Sequence, residues 1–507
     1  MKIAVIDKFP VKFDYKQYFN FEFELFHLVE QKMDKILKAD VTLQIDLDEY
    51  DLVVLIGAEP AKFVGISGVS GKYGALIDNK FICLLNPGMI FFKPEAKDQW
   101  DSLVRKLNEN IATGFVDYTK LADLRGIQQE DELIEYLSFV LESDSPVIAI
   151  DCETSALNHR EGYLLGVSLS HKLDQGVYID SDCFSEEAVE LLQKIVDTKQ
   201  IVGHNMKFDR KWIGYHLGIK WPRVIDDTMA MHYVLDETAG THGLKQLAVK
   251  FTKYGNYEEP LELFKADYKK RHRIKDEDFS YEVIPFEVMV PYACLDTAIT
   301  LELYYKFKEV IYKNEKLTWA YENLMRRGLD FLTRMEEVGV PFDRKRLEFS
   351  RIELDKHIEE AKTALYNDEI VRAFEEAQGD RFNPGSTQQL RRLLFDWLKL
   401  PNTGKLTGTG ALSTDAEVLE ELAQLHPVPG LILEYRKRTK LLNTYVEKVL
   451  GGMDRDGRLR TGFNLTTTTS GRLSSSGTLN MQQLPRDSSL IKGSICAPAG
   501  YSIVTQD

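Results

Sequence analysis

The feature that most constrains the fold is an apolar run that ends in two acidic residues. Pro146–Ile150 has the continuous apolar character of a buried strand, and Asp151-Cys-Glu153 follows it directly. Side chains alternate between the two faces of a strand, so Asp151 and Glu153 should point the same way and Cys152 the opposite way. Two carboxylates on one edge are costly to ionise unless a cation lies between them. The sequence therefore predicts a sheet with a metal site at the end of this strand.

An isolated Asp-x-Glu pair is also typical of an acidic surface turn, so the neighbouring segments decide between the two interpretations. The runs Leu164–Ser170 and Gly176–Ile179 predict two further strands, in an antiparallel meander beside the first. Gly203–Asp209 follows the short apolar strand Ile201–Val202 and should open a helix. Asn205 and Asp209 within it are four residues apart and would share a helical face.

Two more acidic segments follow. Asp226-Asp227-Thr228 predicts the start of a helix, where acidic side chains are favourable caps, so we assign Asp227 a structural role. Tyr292-Ala-Cys-Leu-Asp296 predicts the start of a long helix with Tyr292 and Asp296 on one face.

The acidic residues of these segments form a set of hard oxygen ligands without soft ligands at matching spacing: Asp151, Glu153, Asp209 and Asp296. Such a set suits two Mg²⁺ ions, with Mn²⁺ as an alternative. Two ions of this kind can activate water and stabilise the departing 3′ oxygen when a phosphodiester is attacked. Tyr292, one turn before Asp296, is placed to orient that water. The alternative is a degenerate site that still carries these residues.

These blocks resemble the DEDDy 3′→5′ exonucleases, in order and at ordinary separations. Leu157 fits the first motif, Asp-x-Glu-x-x-x-Leu, where the family places an apolar side chain against the terminal base. The resemblance implies an RNase H-like domain that removes nucleotides from 3′ ends. It implies catalytic and metal-binding roles for the four carboxylates, a catalytic role for Tyr292, and a DNA contact for Asn205.

The later part of the chain resembles the polymerase I branch of family A DNA polymerases. Arg344–Leu347, Phe382–Leu390 and Ala411–Thr414 are similar to its helical thumb, as is the region from Glu434 to Tyr445. Thr469-Ser-Gly-Arg-Leu-Ser-Ser475 and Asn480–Pro485 are similar to the element that contacts primer–template in the minor groove. The resemblance implies DNA-binding roles for the following residues: Arg472, Asn480, Gln482 and Gln483. A further basic run could neutralise phosphates or form a solvated helix face: Arg436, Lys437, Arg438 and Lys440.

The end of the sequence resembles the strand that leads into the first catalytic carboxylate of the polymerase palm. Tyr501–Gln506 would be that strand, and Asp507 the metal-binding aspartate. Nucleotidyl transfer by two metals needs a second carboxylate, so we expect this chain alone not to polymerise. Either a second polypeptide supplies the fingers and the rest of the palm, or the sequence is interrupted here.

The sequence thus predicts an α/β and α+β multi-domain chain: a small α/β domain at 1–125, the exonuclease domain at 126–312, and a partial polymerase domain at 313–507. The last would hold the thumb, about 342–450, and the start of the palm, 451–507. Within the first domain, Val53–Glu59, Gly71–Gly74 and Asn86–Pro94 faintly resemble uracil-DNA glycosylases. Asn86 replaces their histidine and their first catalytic motif is missing, so we expect a non-catalytic scaffold or partner-docking module. It does not resemble a 5′ nuclease domain, which favours a phage-type enzyme.

Charge and cysteine content leave these expectations open. The net charge is −15, but residues 381–507 carry 16 Lys and Arg against 11 Asp and Glu. Because charges are screened over about 8–10 Å, an acidic chain can still present a basic track to DNA. Five cysteines without paired spacing indicate a reducing cytoplasm, that of a bacterial host for a phage enzyme. Two other functions stay open: a non-catalytic DNA-binding subunit, and a stand-alone exonuclease on DNA or RNA.

Overall fold

The computed structural model describes residues 1–504 except 34–35, 67–68, 70–72, 75, 92–94, 115–117, 223, 409, 478 and 486–488. The chain forms two compact units. The first comprises Met1–Phe331 with Leu465–Arg472, and the second comprises Leu332–Asn464 with Leu473–Asp507. None of the described helices is long and apolar enough to cross a membrane.

The N-terminal part of the first unit is built on a mainly parallel sheet. Its strands are β1 Ile3–Asp7, β2 Glu24–His27, β3 Leu52–Ile56, β4 Leu76–Ile77 and β5 Phe81–Leu84, in the order β2-β1-β3-β5-β4. β1 and β3 are buried along their whole length, which explains their continuous apolar sequences. Helices α1 Ala58–Phe63 and α2 Glu95–Thr113 accompany the sheet, and Trp100 of α2 packs in its core. Residues 71–72 and 92–94 of the glycosylase-like segments lie outside the described residues.

A mixed sheet forms the rest of the first unit. Its strands are β6 Asp123–Ile127, β7 Val147–Thr154, β8 Leu164–Ser170, β9 Gln175–Asp180, β10 Gln200–Gly203 and β11 Asp226–Asp227, in the order β11-β10-β7-β8-β9-β6. β7, β8 and β9 are antiparallel neighbours, so the predicted meander is confirmed. β10 lies parallel to β7 on its other side.

Helices flank this sheet. They are α3 Glu130–Glu142, α4 Glu186–Thr198, α5 Lys207–Leu217, α6 Thr228–Leu235, α7 Leu244–Phe251, α8 Glu259–His272, α9 Phe286–Ile311 and α10 Glu315–Ala320. α3 and α4 pack on each other, and α9 packs on the strands that carry the acidic residues. α11, Arg326–Val338, follows α10 after a π-helical stretch, Tyr321–Met325.

The second unit is mostly helical. Its helices are α12 Arg344–Asn367, α13 Glu369–Gln378, α14 Thr387–Arg391, α15 Ala416–Leu422, α16 Pro427–Lys440, α17 Glu447–Gly452 and α18 Ser489–Lys492. Two short antiparallel pairs accompany them: β12 Val340–Pro341 with β13 Arg458–Leu459, and β14 Gly462–Asn464 with β15 Ser474–Ser476. The multi-domain α/β and α+β architecture is therefore confirmed.

The strand predicted at Tyr501–Gln506 is wrong for the residues of it that the structure describes. Residues 501–504 have no regular secondary structure, and the side chains of Tyr501, Ile503 and Val504 are exposed. A strand needs a neighbour that pairs with its backbone, and none of the described strands pairs with this segment. Asp507 lies outside the described residues.

Candidate active site

Strand β7 brings the first two acidic residues to the site. Val147–Ile150 is buried in the middle of the sheet, between β10 and β8. Asp151 and Glu153 then lie on one side of the strand, and Cys152 packs among the aliphatic residues on the other. The alternation that the sequence predicted therefore exists, and it places both carboxylates below helix α9.

Helix α9 supplies the third carboxylate, and two glycines determine how close it comes. A Cβ atom added to Gly176 on β9 would lie 2.4 Å from the carbonyl oxygen of Cys294. One added to Gly126 on β6 would lie 2.4 Å from the Phe286 ring. Any larger residue would push α9 away from the sheet. These glycines therefore set the distance of Asp296 from β7.

The three carboxylates form a compact cluster. One oxygen from each of Asp151, Glu153 and Asp296 lies within 4.8 Å of the others. Burial, followed by repulsion among the carboxylates, raises the pKa of Asp151 and of Glu153 well above the usual range. Burial also raises the pKa of Asp296 to about 6. A bound cation would neutralise this charge, and the all-oxygen donor set fits a hard divalent ion.

Asp209 adds a fourth carboxylate from the first turn of α5. It is 2% exposed, and its Oδ1 accepts a hydrogen bond from the backbone N–H of Cys152 at 3.0 Å. Its charge is close enough to raise the pKa of both Asp151 and Glu153. Burial raises its pKa to about 7. The structure thus brings together all four carboxylates that the sequence singled out.

Asn205 does not share a helical face with Asp209, contrary to the prediction. It precedes α5 in a left-handed conformation, with φ of +60°. The Asp227 carboxylate accepts hydrogen bonds from the N–H groups of Asn205 and Met206, at 3.2 and 2.9 Å. It also caps the start of α6 through two more N–H groups. These hydrogen bonds satisfy the N–H groups of Asn205 and Met206 outside α5, so Asp227 is structural, as predicted.

Two tyrosines surround Asp296. Tyr292 lies one turn before it on α9, and its hydroxyl is close enough to lower the pKa of the Asp296 carboxyl. Tyr257, from the loop between α7 and α8, donates a hydrogen bond to Asp296 Oδ1. The two rings are stacked, with centroids 6.2 Å apart. Tyr257 was not predicted from the sequence, because no motif or spacing connects it to a residue 39 positions away.

Lys245 was likewise not predicted from the sequence. It lies near the start of α7, with its Nζ 5.5 Å from the centroid of the Tyr292 ring, and it forms an ion pair with Glu258. Its positive charge offsets part of the negative charge of the cluster. An isolated lysine in an amphipathic helix carries no signal that would distinguish it from a solvated one.

Leu157 lies in the loop after β7 and is 91% exposed. An apolar side chain so exposed is free to contact a ligand, as the contact implied for it requires. That contact stays a prediction.

The predicted basic run of the second unit divides into structural and exposed side chains. Arg436 donates to the carbonyl oxygens of Pro384 and Thr414, at 2.9 and 2.8 Å, and so ties two loops to α16. Lys437 and Arg438 form ion pairs with glutamates, and Lys440 is exposed at the end of the helix. For Arg436 the local geometry therefore favours a structural role over a DNA contact.

The segment predicted to contact primer–template is held by its own polar groups. Asn480 Oδ1 accepts hydrogen bonds from the Ser475 hydroxyl and from the backbone N–H of Gln482. The Gln482 side chain donates to the carbonyl oxygen of Leu473 at 3.1 Å. Arg472 is exposed in the first unit, and Gln483 closes the short turn Met481–Gln483. The DNA contacts of these residues stay predictions.

Comparison with known proteins agrees with this geometry. Residues 124–312 match the family described as 3′-5′ exonuclease, and residues 352–507 match that described as DNA polymerase family A. The chain is 46% identical to the DNA polymerase of Escherichia phage T5, over all of this chain and 62% of that protein. It is 25% identical to the DNA polymerase of Bacillus phage SP01, over 87% of this chain and 55% of that protein. The sequence therefore spans about three fifths or less of the length of these relatives.

A solved structure shows the same fold. It is the POL domain of Pol1 from M. smegmatis, in complex with DNA primer-template and dNTP. The TM-score is 0.56 at 23% identity, over 75% of this chain and 59% of that one.

Proposed function

This chain belongs to the family A DNA polymerases, of which it carries the 3′-5′ exonuclease domain and part of the polymerase domain, and we propose that its carboxylate cluster is the active site of a DNA exonuclease. The proposed reaction is hydrolysis of the terminal phosphodiester bond at a DNA 3′ end. Mismatched ends fray more easily into single strands, so the reaction would proofread. The observation that carries the proposal is the convergence of Asp151, Glu153, Asp209 and Asp296 beside Tyr292.

The residues of the site have separate proposed roles. The four carboxylates would hold two divalent ions, which we propose to be Mg²⁺. Such ions lower the pKa of water and stabilise the leaving oxygen. The Tyr292 hydroxyl, beside Asp296, positions the attacking water. Leu157 packs against the terminal base.

The second unit would hold primer–template DNA. We propose that Lys440 and the Asn480–Gln483 turn contact its backbone and minor groove, without reading the sequence. The relatives are longer than this chain, so primer extension is proposed for the assembly that includes the rest of the polymerase domain. That remainder would belong to the same polypeptide or to a second one. The place of action would be the cytoplasm of the bacterial host.

The test uses a 5′-labelled primer–template with a 3′ mismatch in Mg²⁺. The chain should shorten the primer stepwise. The Asp151→Ala and Asp209→Ala variants should lose at least about 10²–10³-fold in rate, the effect of removing one stabiliser of the transition state. Asp197→Ala, an exposed position on α4, is the matched control.

Normal degradation of single strands by a variant that carries both Asp151→Ala and Asp209→Ala would end the assignment. Shortening of an RNA primer at the same rate as the DNA primer would instead support a general exonuclease. Failure to shorten any substrate in Mg²⁺ or Mn²⁺ would favour a DNA-binding subunit.

A further inference from the structure

A cavity of about 780 Å³ lies in the first unit, between α2 and the loop that joins α7 to α8. Its volume is in the range of cavities that enclose ligands of nucleotide size. Its lining carries five cations and two acidic groups, Glu109 and Glu259. Lys250 and Lys253 also form ion pairs with Asp236 and Asp174, which do not line the cavity. The cations are Arg105, Lys106, Lys120, Lys250 and Lys253.

Arg105 and Lys106 are neighbours on α2, and Glu109 and Glu302 offset part of the charge of Lys106. Among the described residues, neither Arg105 nor Lys106 forms an ion pair with a carboxylate. The Lys106 ammonium donates to the carbonyl oxygen of Thr252 at 3.0 Å, and Arg105 is exposed. Burial, and then repulsion from Arg105 and Lys306, lower the pKa of Lys106 to about 8. Like charges held this close favour the binding of an anion.

Aromatic rings accompany the cations. The Nζ of Lys253 lies 5.3 Å from the centroid of the Tyr118 ring and 5.6 Å from that of Tyr254. Cations beside aromatic rings are the combination that binds single-stranded nucleic acid, whose phosphates pair with the cations while its bases stack.

Tyr257 connects the cavity to the carboxylates. It lines the cavity, and its hydroxyl donates to Asp296. Tyr257 therefore borders both the cavity and the carboxylate cluster.

We propose that this cavity binds the backbone of the single-stranded DNA whose 3′ end is hydrolysed, several nucleotides before the scissile bond. The proposal rests on the exonuclease function given above. It assigns to the N-terminal part of the chain a direct part in holding substrate. A strand is favoured over a free nucleotide, because the cations extend from α2 to the end of α7 and beyond, more than a single phosphate would occupy.

The test measures DNA binding without catalysis. Fluorescence anisotropy of 5′-labelled dT12 in EDTA reports affinity whether or not the chain is an active nuclease. Arg105→Ala with Lys106→Ala should raise Kd by at least about tenfold. Each lost phosphate contact should reduce the salt dependence of log K by about 0.7. Arg105→Glu, at an exposed side chain for which no hydrogen bond or ion pair is described, should also raise Kd without affecting folding. Lys194→Ala on α4 is the control, since it does not line the cavity.

Catalysis gives a second readout. In the Arg105 and Lys106 variants, the KM for dT12 should rise relative to the KM for dT2, because only the longer strand reaches the cavity. An inactive wild-type chain would end the exonuclease assignment. The anisotropy measurement would still test whether the cavity binds DNA. Unchanged Kd and salt dependence for dT12 would overturn the proposal. So would loss of binding to dTMP that equals the loss of binding to dT12, since that identifies a nucleotide site.

Discussion

At the scale of single residues, the hydrogen bond from Tyr257 to Asp296 gives a direct prediction. A group that orients a metal ligand changes metal affinity or activity by about 10- to 100-fold when it is removed. Tyr257→Phe keeps the stacked ring and loses only the hydroxyl. We expect the Mg²⁺ concentration for half-maximal exonuclease activity to rise by about that factor. The maximal rate at saturating Mg²⁺ should change much less. A Mg²⁺ titration of dT12 hydrolysis measures both.

The matched control for this variant is Tyr305→Phe, a partly exposed tyrosine further along α9. It should leave the titration unchanged. If Tyr257→Phe also left the half-saturating Mg²⁺ concentration unchanged, Tyr257 would have no part in orienting Asp296.

The same residues show which parts of the site a sequence can reveal. Asp151, Glu153, Asp209 and Asp296 stand in local patterns, beside an apolar strand or one helical turn from a tyrosine. Each pattern fixes a direction, and the structure places all four together. Tyr257 and Lys245 reach the cluster only through tertiary packing, from a loop and an amphipathic helix whose local sequences have no distinguishing feature. Their roles depend on how α7 and the loop after it pack against α9, which the sequence does not encode locally.

At the scale of elements, Asp227 links two helices. Its carboxylate accepts hydrogen bonds from backbone N–H groups in the turn before α5 and at the start of α6. Asp227→Ala would leave buried donors unpaired, at about 1–3 kcal/mol for each group left unsatisfied. We expect the free energy of unfolding to fall by at least about 2 kcal/mol. Exonuclease activity should fall as well, because the turn positions Asp209. Urea unfolding and primer shortening measure these effects.

Asp368→Ala is the comparison for this variant. Asp368 caps α13 in the second unit by accepting two N–H groups. Its loss should cost about 1 kcal/mol, the ordinary value for a helix cap, without changing exonuclease activity. Equal losses of stability in the two variants would contradict the larger role given to Asp227.

Elements were predictable where burial and local chemistry agree. β1, β3 and β7 are apolar and buried in the interior of their sheets, so periodicity alone indicates them. Residues 501–504 are also mostly apolar. They have no described strand to pair with, however, and they do not form a strand. Asn205 was misplaced because the side chain of Asp227, 22 positions away, satisfies its N–H group outside a helix. Pairing partners and long-range hydrogen bonds decide both cases.

At the scale of the whole molecule, the basic cavity has no signature in the sequence. Lys106 and Thr252 are 146 residues apart and meet only because α2 packs beside the end of α7. Net charge conceals the cavity too, since the first 380 residues carry 48 Lys and Arg against 68 Asp and Glu. A local cluster of cations therefore exists within the acidic part of the chain.

Lys106 lets the stability cost of this cluster be measured. Its pKa is lowered by burial from 10.5 to about 8 in the folded protein. Below pH 8 the lysine is protonated in both states, and the folded state bears the full cost of burying the charge, about 3 kcal/mol. Between pH 8 and 10.5 the unfolded state binds more protons, so this cost disappears as the pH rises. Lys106→Met removes the charge and one hydrogen bond, which is worth about 1 kcal/mol.

We therefore expect Lys106→Met to raise the free energy of unfolding by about 2 kcal/mol at pH 7, while weakening dT12 binding. The gain should vanish by about pH 10, because the folded-state lysine is then largely neutral and the remaining cost, about 1 kcal/mol, is offset by its hydrogen bond. Urea unfolding at the two pH values gives the difference, and Lys194→Met, at an exposed lysine, should show no such pH dependence. A variant that is less stable than the wild type at pH 7 would show that Lys106 serves folding. A more stable variant that binds DNA poorly would show that the buried charge is kept for the substrate.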